Sequence, residues 1–561
     1  MKWRVIVNAL MVFIVFLLLG AKVAYLQVLQ HDSLKTIFEK QFIKQEAIEP
    51  IRGEILDVKG ELLAVSILVD SYYCMPNEVE DPKKTALFLS NYLDLDANNL
   101  EKDIRRKKTF FWIKRKVLPQ EAIKINSKNL PQGIGHIKEG MRCYPKAGLA
   151  SHVIGISSTD NRGLLGVEYK FNDFLKGDTI TWNNGKDALG RKVASDSAVY
   201  ADNRTSNNIY LTFDEVIQHI AERNADKLWQ KNKPEAISIV VQKIDTGEIL
   251  AMVSRPNFDV NNIKSASSRS LSNNSVSMVY EPGSTLKVFV AAAAIEEKIA
   301  DLDTVIDCEN GKLAVEDHVI TDHEKKGMLS LKEVISYSSN IGMAKIGQQL
   351  GNERLYKYLV SFGFGSFTGI TLPGESRGLF RYPNEWSEIS KSVIAFGQEI
   401  GINPIQLIAG YSCIANKGVL LEPRIIKYIK DYDGNVIRDF SPRVVRRVVS
   451  EGTCKKIIEA MEAVVSKGST GDLAGVPGYR VAGKTGTAQK IDKATNKYSE
   501  DKYIASFAGF FPANDPKISI VVIVDEPKGV YWGGDVCAPI FASIVREIAW
   551  YLKIPPVETR N

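Results

Sequence analysis

Three short stretches of the chain carry side chains whose types and spacing could do chemistry. The first is "YEPGSTLKVF" (280–289), where Ser284 and Lys287 stand one helical turn apart. Pro282-Gly283 breaks the preceding chain, and "STLKVFVAAAAIEEK" then sets strong helix formers around an almost wholly apolar middle. On a helix, residues i and i+3 share a face, so the lysine amine can approach the serine hydroxyl. Among Val288, Phe289 and Ala291–Ala294, an ammonium is costly to desolvate, which favours the neutral, basic amine. The N-terminal end of the helix disfavours positive charge and favours an oxyanion. A neutral lysine beside a serine is a nucleophile–base pair for acyl transfer. The plainer reading of an isolated S-x-x-K is a serine cap with a surface lysine.

Two further stretches change that balance. "SYSSNIGMAKIGQQL" (336–350) sets Ser338, Ser339 and Asn340 at the head of another helix. "YRVAGKTGTAQK" (479–490) sets Lys484, Thr485, Gly486 and Thr487 in a strand-like run. Taken singly, these read as a helix cap and an exposed strand with a bulge. In this order and this well separated, S-x-x-K, S-x-N and K-T-G together are a strong signal for serine acyl-transfer chemistry.

Helices and strands elsewhere in the chain must position these residues. "DEVIQHIAERNADKLWQKN" has helical period, and "AISIVVQKIDTGEILAMVS" (236–254) reads as two strands joined by a turn at Asp245-Thr246-Gly247. "PKISIVVIVDEP" (516–527) is another apolar strand, and "APIFASIVREIAWYL" (538–552) a closing amphipathic helix. Strands at both ends with helices between them predict an α+β domain over about 205–555, an antiparallel sheet flanked by helices. Before it, residues 50–200 mix short β-like runs with polar helical patches. "IRRKKTFFWIKRK" (104–116) reads as a solvated face beside a short buried strand. "VYADNRTSNNIYLTFD" (199–214) is turn-rich and reads as a boundary.

The chain has 561 residues, too many for one core. With 72 Lys+Arg against 66 Asp+Glu, the formal charge of +6 is mild and gives no argument for nucleic acid. Six scattered cysteines, without C-x-x-C, argue for isolated thiols rather than a disulfide scaffold or a zinc site. His318 and His323 lie near Glu316, Asp317 and Asp322, but the spacing fits no ligand pattern and reads as a solvated loop. Nothing implies a metal or other cofactor. At the N-terminus, Lys2 and Arg4 precede an uncharged run from Val5 to Ala21, and apolar character resumes after Lys22 to Leu29. This reads as a retained signal anchor, with the N-terminus cytoplasmic and the bulk of the chain outside. Residues 30–50 read as a helical stalk. The resulting division is an anchor over 1–29, an N-terminal module over 30–204, the α+β domain over 205–555 and a tail over 556–561.

The sequence resembles a class B penicillin-binding protein of the division type (FtsI-like), over nearly its whole length. Besides the three motifs, "EPIRGEILDVKGELLAVS" (49–66) is similar to the family's R-G-x-I-x-D-x-x-G segment. "RCYPKAGLASHVIG" (142–155) and "GLLGVEYKFNDFLKG" (163–177) are similar to its next landmarks. "TGITLPGESRG" (368–378), "VIAFGQEIGINPIQL" (393–407), "SKGSTGDLAG" (466–475) and "YWGGDVCAPIF" (531–541) are similar to its transpeptidase domain.

The resemblance implies an elongated pedestal, or dimerisation-type, module ahead of a penicillin-binding domain of serine β-lactamase-like fold. It implies a peptidoglycan D,D-transpeptidase acting on stem peptides that end in D-Ala-D-Ala, and trapped by β-lactams. On that likeness Ser284 is the nucleophile and Lys287 its base. Ser338 relays a proton, Asn340 positions Lys287 and the substrate, and Lys484 supplies positive field. Ser339, Thr485, Gly486 and Thr487 form the substrate-binding set, with Gly486 admitting an extended peptide beside the strand. The backbone N–H groups of Ser284 and Thr487 would form the oxyanion hole. The likeness also implies an inner-membrane location and partnership with a SEDS-type glycosyltransferase (FtsW-like) and other divisome membrane proteins. The alternatives are an elongation-type protein, a D,D-carboxypeptidase or β-lactamase of the same fold, and a scaffold with vestigial catalysis. One departure stands out. The family usually reads G-Q-G where this chain has Gly397-Gln398-Glu399, and "EIGIN" (399–403) echoes the E-x-x-x-N loop of hydrolytic β-lactamases. Asn403 before Pro404 instead reads as an N-cap with Pro at the first helical position.

Overall fold

The computed structural model describes residues 2–34, 43–48, 50–185, 205–316, 318–492, 495 and 497–556. Asp317, the start of the expected boundary segment (199–204) and the end of the expected tail (557–561) lie outside the described residues. Two compact units form, Met1–Ile51 with Lys176–Ser206, and Arg52–Leu175 with Asn207–Asn561. The 30–204 module drawn from the sequence is therefore divided between them.

In the first unit, the α-helix Lys2–Ala24 continues as a π-helical turn, Tyr25–Leu29. The helix is long and apolar enough to cross a membrane. The helical stalk expected over 30–50 is replaced by a different arrangement. One further helical turn (31–34) is described, residues 35–42 and 49 lie outside the described residues, and Ile43–Ile48 is a strand paired antiparallel with Ile180–Gly185. Its partner lies so far along the chain that no local pattern could announce it.

In the second unit, Leu62–Cys74 pairs with Ile134–Cys143 and with Phe111–Lys114. The basic 104–116 stretch is a solvated face as expected, although its strand is half-buried rather than buried. Among its cations, Lys114 pairs within this unit with Glu121, and Arg115 with Glu139 and Asp160. The R-G-x-I stretch has a structural purpose. Arg52, 2 % exposed, gives its Nε proton to Glu168 at 2.6 Å and its other protons to the carbonyls of Glu168 and Asn161. Arg142 donates to the other Glu168 oxygen at 2.6 Å, so three of the family-like landmarks meet in one buried ion network.

Strand Asn208–Leu211 lies beyond the boundary expected at 204/205, yet it pairs parallel with Ile55–Leu56 and antiparallel with Ile426–Lys430. One sheet thus runs from the N-terminal segment into the α+β segment. One buried apolar cluster does the same, from Ile55, Leu63 and Val153 to Val240, Phe289 and Tyr411.

The α+β segment that follows carries a five-stranded antiparallel sheet, in the order Ala482–Asp492, Lys497–Phe511, Ile518–Asp525, Ala236–Lys243 and Ile249–Arg255. The expected hairpin is present, its turn relieved by Gly247 at φ 70°. Helices Glu215–Asn232 and Ala538–Tyr551 pack with one face of the sheet in an apolar cluster. Lys287–Glu296 and Pro404–Ala415 belong to the larger cluster. The K-T-G-T strand is left at the sheet edge.

Candidate active site

Ser284 lies in a 3-10 turn, Gly283–Leu286, which leads directly into the α-helix Lys287–Glu296. It does not cap the helix, and its hydroxyl makes no hydrogen bond among the described residues, which leaves it available for chemistry. The turn is held from several sides. Thr285 Oγ1 donates to the Pro282 carbonyl at 2.8 Å, and the Tyr411 hydroxyl donates to the Thr285 carbonyl at 2.9 Å. The helix behind it is buried from Lys287 to Ile295, with Phe289 wedged among Phe362, Phe364 and Tyr411. Gly283, at φ 53°, donates its N–H to the Gly397 carbonyl at 3.0 Å. A Cβ on Gly397 would come within 2.1 Å of the Gly283 carbonyl oxygen, so only glycine fits there.

Lys287 is fully buried, and among the described residues every acceptor it reaches is neutral. Its Nζ donates to the Ser338 carbonyl at 2.5 Å, to Asn340 Oδ1 at 2.7 Å and to Ser338 Oγ at 3.3 Å. Burial pushes its pKa down to about 7, against an opposing pull from the Asp322 carboxylate. Burial thus acts in the direction inferred from the apolar surroundings, bringing the neutral, basic form within reach. Ser338 sits at φ 63°, a conformation that costs a non-glycine residue about 1–3 kcal/mol and tends to be kept at functional sites. Here it belongs to the turn whose carbonyl and hydroxyl both face Lys287.

Lys484 approaches the same hydroxyl from the sheet edge, Nζ to Ser338 Oγ 2.9 Å. It is also fully buried, and burial together with the neighbouring Lys287 pushes its pKa well down. Ser338 Oγ thus accepts from two lysines while its own proton stays free to be given away. The Thr485 hydroxyl donates to Thr470 Oγ1 at 3.3 Å, and the Thr487 hydroxyl accepts the Gly533 N–H at 3.0 Å.

Two of the expected substrate-binding residues have other reasons for being what they are. Ser339 is 4 % exposed and faces inward. Its hydroxyl caps the helix Asn340–Ser361 by accepting the Gly342 N–H, and donates to Asp322 at 2.5 Å. It positions the turn and does not line the groove. For Gly486, a Cβ would meet Ser506 Oγ at 2.3 Å and Thr285 Cγ2 at 2.9 Å. The glycine is required by the packing of the strand against the serine turn, whatever lies on the open side.

Asp322, read from sequence as part of a solvated loop, is the residue sequence reasoning missed. It is half-buried, and its carboxylate accepts from Ser339, from the Asn340 N–H at 2.5 Å and from the Ile341 N–H at 3.1 Å. Nothing in its local sequence marks it. Among the described residues no cluster of His, Cys, Asp and Glu has metal-binding geometry, and the six cysteines are free.

Glu399 sits at the outer end of the cleft. Arg381 and Ser390 both hold its Oε2 at 2.7 Å, and its N–H donates to Glu281. Asn403 caps the helix Pro404–Ala415 in a capping box with Gln406, so the E-x-x-x-N echo is structural coincidence. Tyr280, Glu281, Arg381, Glu399, Tyr498 and Ile504 line a cavity of about 920 Å³ beside the serine turn.

Residues 237–546 match the family model described as the penicillin binding protein transpeptidase domain, and residues 47–211 match the penicillin-binding protein dimerisation domain. The chain is 35 % identical over 551 residues to Stage V sporulation protein D of Bacillus subtilis (strain 168), covering 97 % of this chain and 85 % of that protein. It is 30 % identical over 565 residues to peptidoglycan D,D-transpeptidase FtsI of Escherichia coli (strain K12), covering 99 % and 93 % respectively. Among solved structures, penicillin binding protein 3 of Mycobacterium tuberculosis in complex with aztreonam superposes with a TM-score of 0.71 at 27 % identity, covering 91 % of this chain and 98 % of that one.

Proposed function

Because the chain belongs to the penicillin-binding protein transpeptidase family, as a class B peptidoglycan D,D-transpeptidase, we propose that it cross-links stem peptides through an acyl-enzyme on Ser284. The observation that carries this reading is the convergence of Lys287, one turn along the chain from an unencumbered Ser284, and Lys484 on one hydroxyl, Ser338 Oγ. In the first half-reaction Ser284 Oγ attacks the carbonyl carbon of the penultimate D-Ala, and neutral Lys287 accepts the hydroxyl proton. The peptide C–N bond breaks, and the departing amine of the terminal D-Ala takes a proton delivered through Ser338. In the second half-reaction a neighbouring stem-peptide amine attacks the ester, loses a proton to the same relay and releases Ser284. The N–H groups of Ser284 and Thr487 would stabilise the oxyanion in both halves.

Lys484 has no acidic partner among the described residues. A substrate carboxylate seated against Thr485 and Thr487 would supply one and favour its charged form. The K-T-G-T strand lies at a sheet edge, where an extended peptide can add as a further strand. A β-lactam would acylate Ser284 by the same first step. Glu399 is engaged by Arg381 and Ser390, which leaves less of its carboxylate free to act as the base of a hydrolytic reaction.

The helix Lys2–Ala24 would anchor the protein in the cytoplasmic membrane, with Lys2 and Arg4 retained inside and the catalytic segment outside. Septal wall synthesis with an FtsW-like polymerase and other divisome proteins is the cellular role we favour, supported by the FtsI-named relative. The relative named for sporulation makes a developmental role the second reading. Depletion in growing cells separates the two: arrested septation supports the first, and normal septation overturns it.

The chemical reading is tested with a D-Ala-D-Ala pentapeptide, with and without an acceptor amine. Cross-linked product with acceptor present is the expected result. Free D-Ala alone under both conditions would sink the transpeptidase reading in favour of a carboxypeptidase.

A further inference from the structure

Between the nucleophile helix and the Ser338-Ser339-Asn340 turn, the chain makes the hairpin Lys312–Val315/His318–Thr321 and then runs through Asp322 and His323. This short segment touches the reaction centre at several points. Both Asp322 oxygens are committed to the turn: Oδ2 to the Ser339 hydroxyl, Oδ1 to the N–H groups of Asn340 and Ile341. The Thr321 carbonyl accepts Asn340 Nδ2 at 3.0 Å, which fixes the amide so that its oxygen, not its nitrogen, meets Lys287 Nζ. The His323 ring packs 4.6 Å from Trp532, and the next residue, Gly533, donates to the Thr487 hydroxyl.

We propose that Asp322 is a positioning residue for acyl transfer, its carboxylate locking the Ser338-Ser339-Asn340 turn in the arrangement that aims the Ser338 carbonyl and the Asn340 amide oxygen at Lys287. The proposal rests on the assignment of Ser284 and Lys287 as nucleophile and base. An anionic carboxylate at the first N–H groups of a helix makes short, charge-assisted hydrogen bonds, reinforced by the positive end of the helix dipole. An uncharged acceptor would hold the same turn less firmly. The carboxylate also acts on Lys287 through its field. The other groups facing the amine are Lys484 across the cleft, the Ser338 hydroxyl and carbonyl, the Asn340 amide and the Cys308 thiol, whose pKa burial raises. Cys308 in turn faces Lys345, which is paired with Glu309 at 2.6 Å. Asp322 therefore supplies the negative charge that partly offsets the desolvation of Lys287.

The test uses the full-length protein and the rate constant for acylation by a fluorescent penicillin, measured from pH 5.5 to 9 with a thermal melt alongside. In the wild type the rate should rise along a limb near pH 7 that is absent from Lys287→Ala. In Asp322→Asn the plateau rate should fall by roughly 10- to 100-fold, and the limb should move about one pH unit lower, because a lysine without its anion loses its proton more readily. Asp322→Glu should return the limb toward its wild-type position while staying slower. Ser339→Ala removes the cap but keeps the charge, so it should lower the melting temperature and leave the limb in place.

A merely structural Asp322 would change the melt without moving the limb. A folded Asp322→Asn with wild-type rate and limb overturns the proposal. If Asp322→Asn does not fold, Asp322→Glu decides: a slower plateau with the limb retained and the melt unchanged supports it, and an unchanged rate overturns it. If the wild type itself is not labelled at Ser284, or its limb survives in Lys287→Ala, the nucleophile–base assignment fails instead.

Discussion

Arg52 and Lys287 are both almost completely enclosed, at 2 % and 0 % exposure, yet they are opposites. Arg52, in the N-terminal segment, meets a carboxylate: Glu168 lies 2.6 Å from its Nε and is shared with Arg142. Lys287, in the cleft, meets a carbonyl, a hydroxyl and an amide oxygen. The guanidinium is kept charged by a partner and by its chemistry, and it ties chain segments together. The lysine is solvated by dipoles that accept its hydrogen bonds without offsetting its charge, so burial brings its pKa to about 7. Burial alone does not make a cation reactive. Burial with only neutral first contacts does, and Lys484 follows Lys287 in this.

The contrast can be broken in five ways, from the largest expected effect to the smallest. Ser284→Ala should abolish covalent labelling by a fluorescent penicillin while leaving the melting temperature nearly unchanged, because its hydroxyl makes no hydrogen bond among the described residues. Label persisting on another residue would remove Ser284 as nucleophile. Lys287→Ala should slow acylation by roughly 10²- to 10⁴-fold, the range for loss of a positioned base. The wild-type profile should carry the sign of that base. The amine works when neutral, so the rate rises as pH climbs through about 7 and levels above it. A rate that falls over that interval would mean the charged form is the active one.

Arg52→Ala leaves Glu168 with one fewer partner in a buried site, and should cost about 3–5 kcal/mol in denaturant unfolding. The folded fraction should still be acylated at the wild-type rate. A normal stability with slowed acylation would erase the distinction drawn between the two cations. Lys114→Ala removes a half-exposed pair with Glu121, and should cost less than about 1 kcal/mol.

The chemistry is more legible in the sequence than its support. Lys287, Ser338, Asn340 and Lys484 meet in hydrogen bonds, whereas none joins the Ser284 hydroxyl to them among the described residues; each sits at a helix start or in a strand that local pattern reveals. The hairpin at 236–254 and the capping by Asn403 are readable for the same reason. The features that escape are those that depend on distant partners. Asp322 is an ordinary loop aspartate until the fold brings the helix start at Asn340 against it. Ser339 looks like part of a substrate motif because a helix cap and a groove residue have the same sequence signature. Gly486 looks like an opening for substrate, whereas the close approach of Ser506 and Thr285 is what excludes a side chain. The strand Ile43–Ile48 reads as helix because its ladder is supplied by residues 180–185.

The strand Asn208–Leu211, hydrogen-bonded on one side to Ile55–Leu56 and on the other to Ile426–Lys430, has a practical consequence for anyone dissecting the chain. A fragment begun at residue 205, where composition suggests a domain starts, would carry that strand stripped of one neighbour. Bare ladder groups would lie beside newly uncovered apolar residues such as Ile209 and Leu211. Such an edge invites pairing between copies, and the fragment should be sticky and poorly soluble. A cut that retains residues 52–175 keeps the seam closed, so the smallest well-behaved piece of this protein is larger than its catalytic domain.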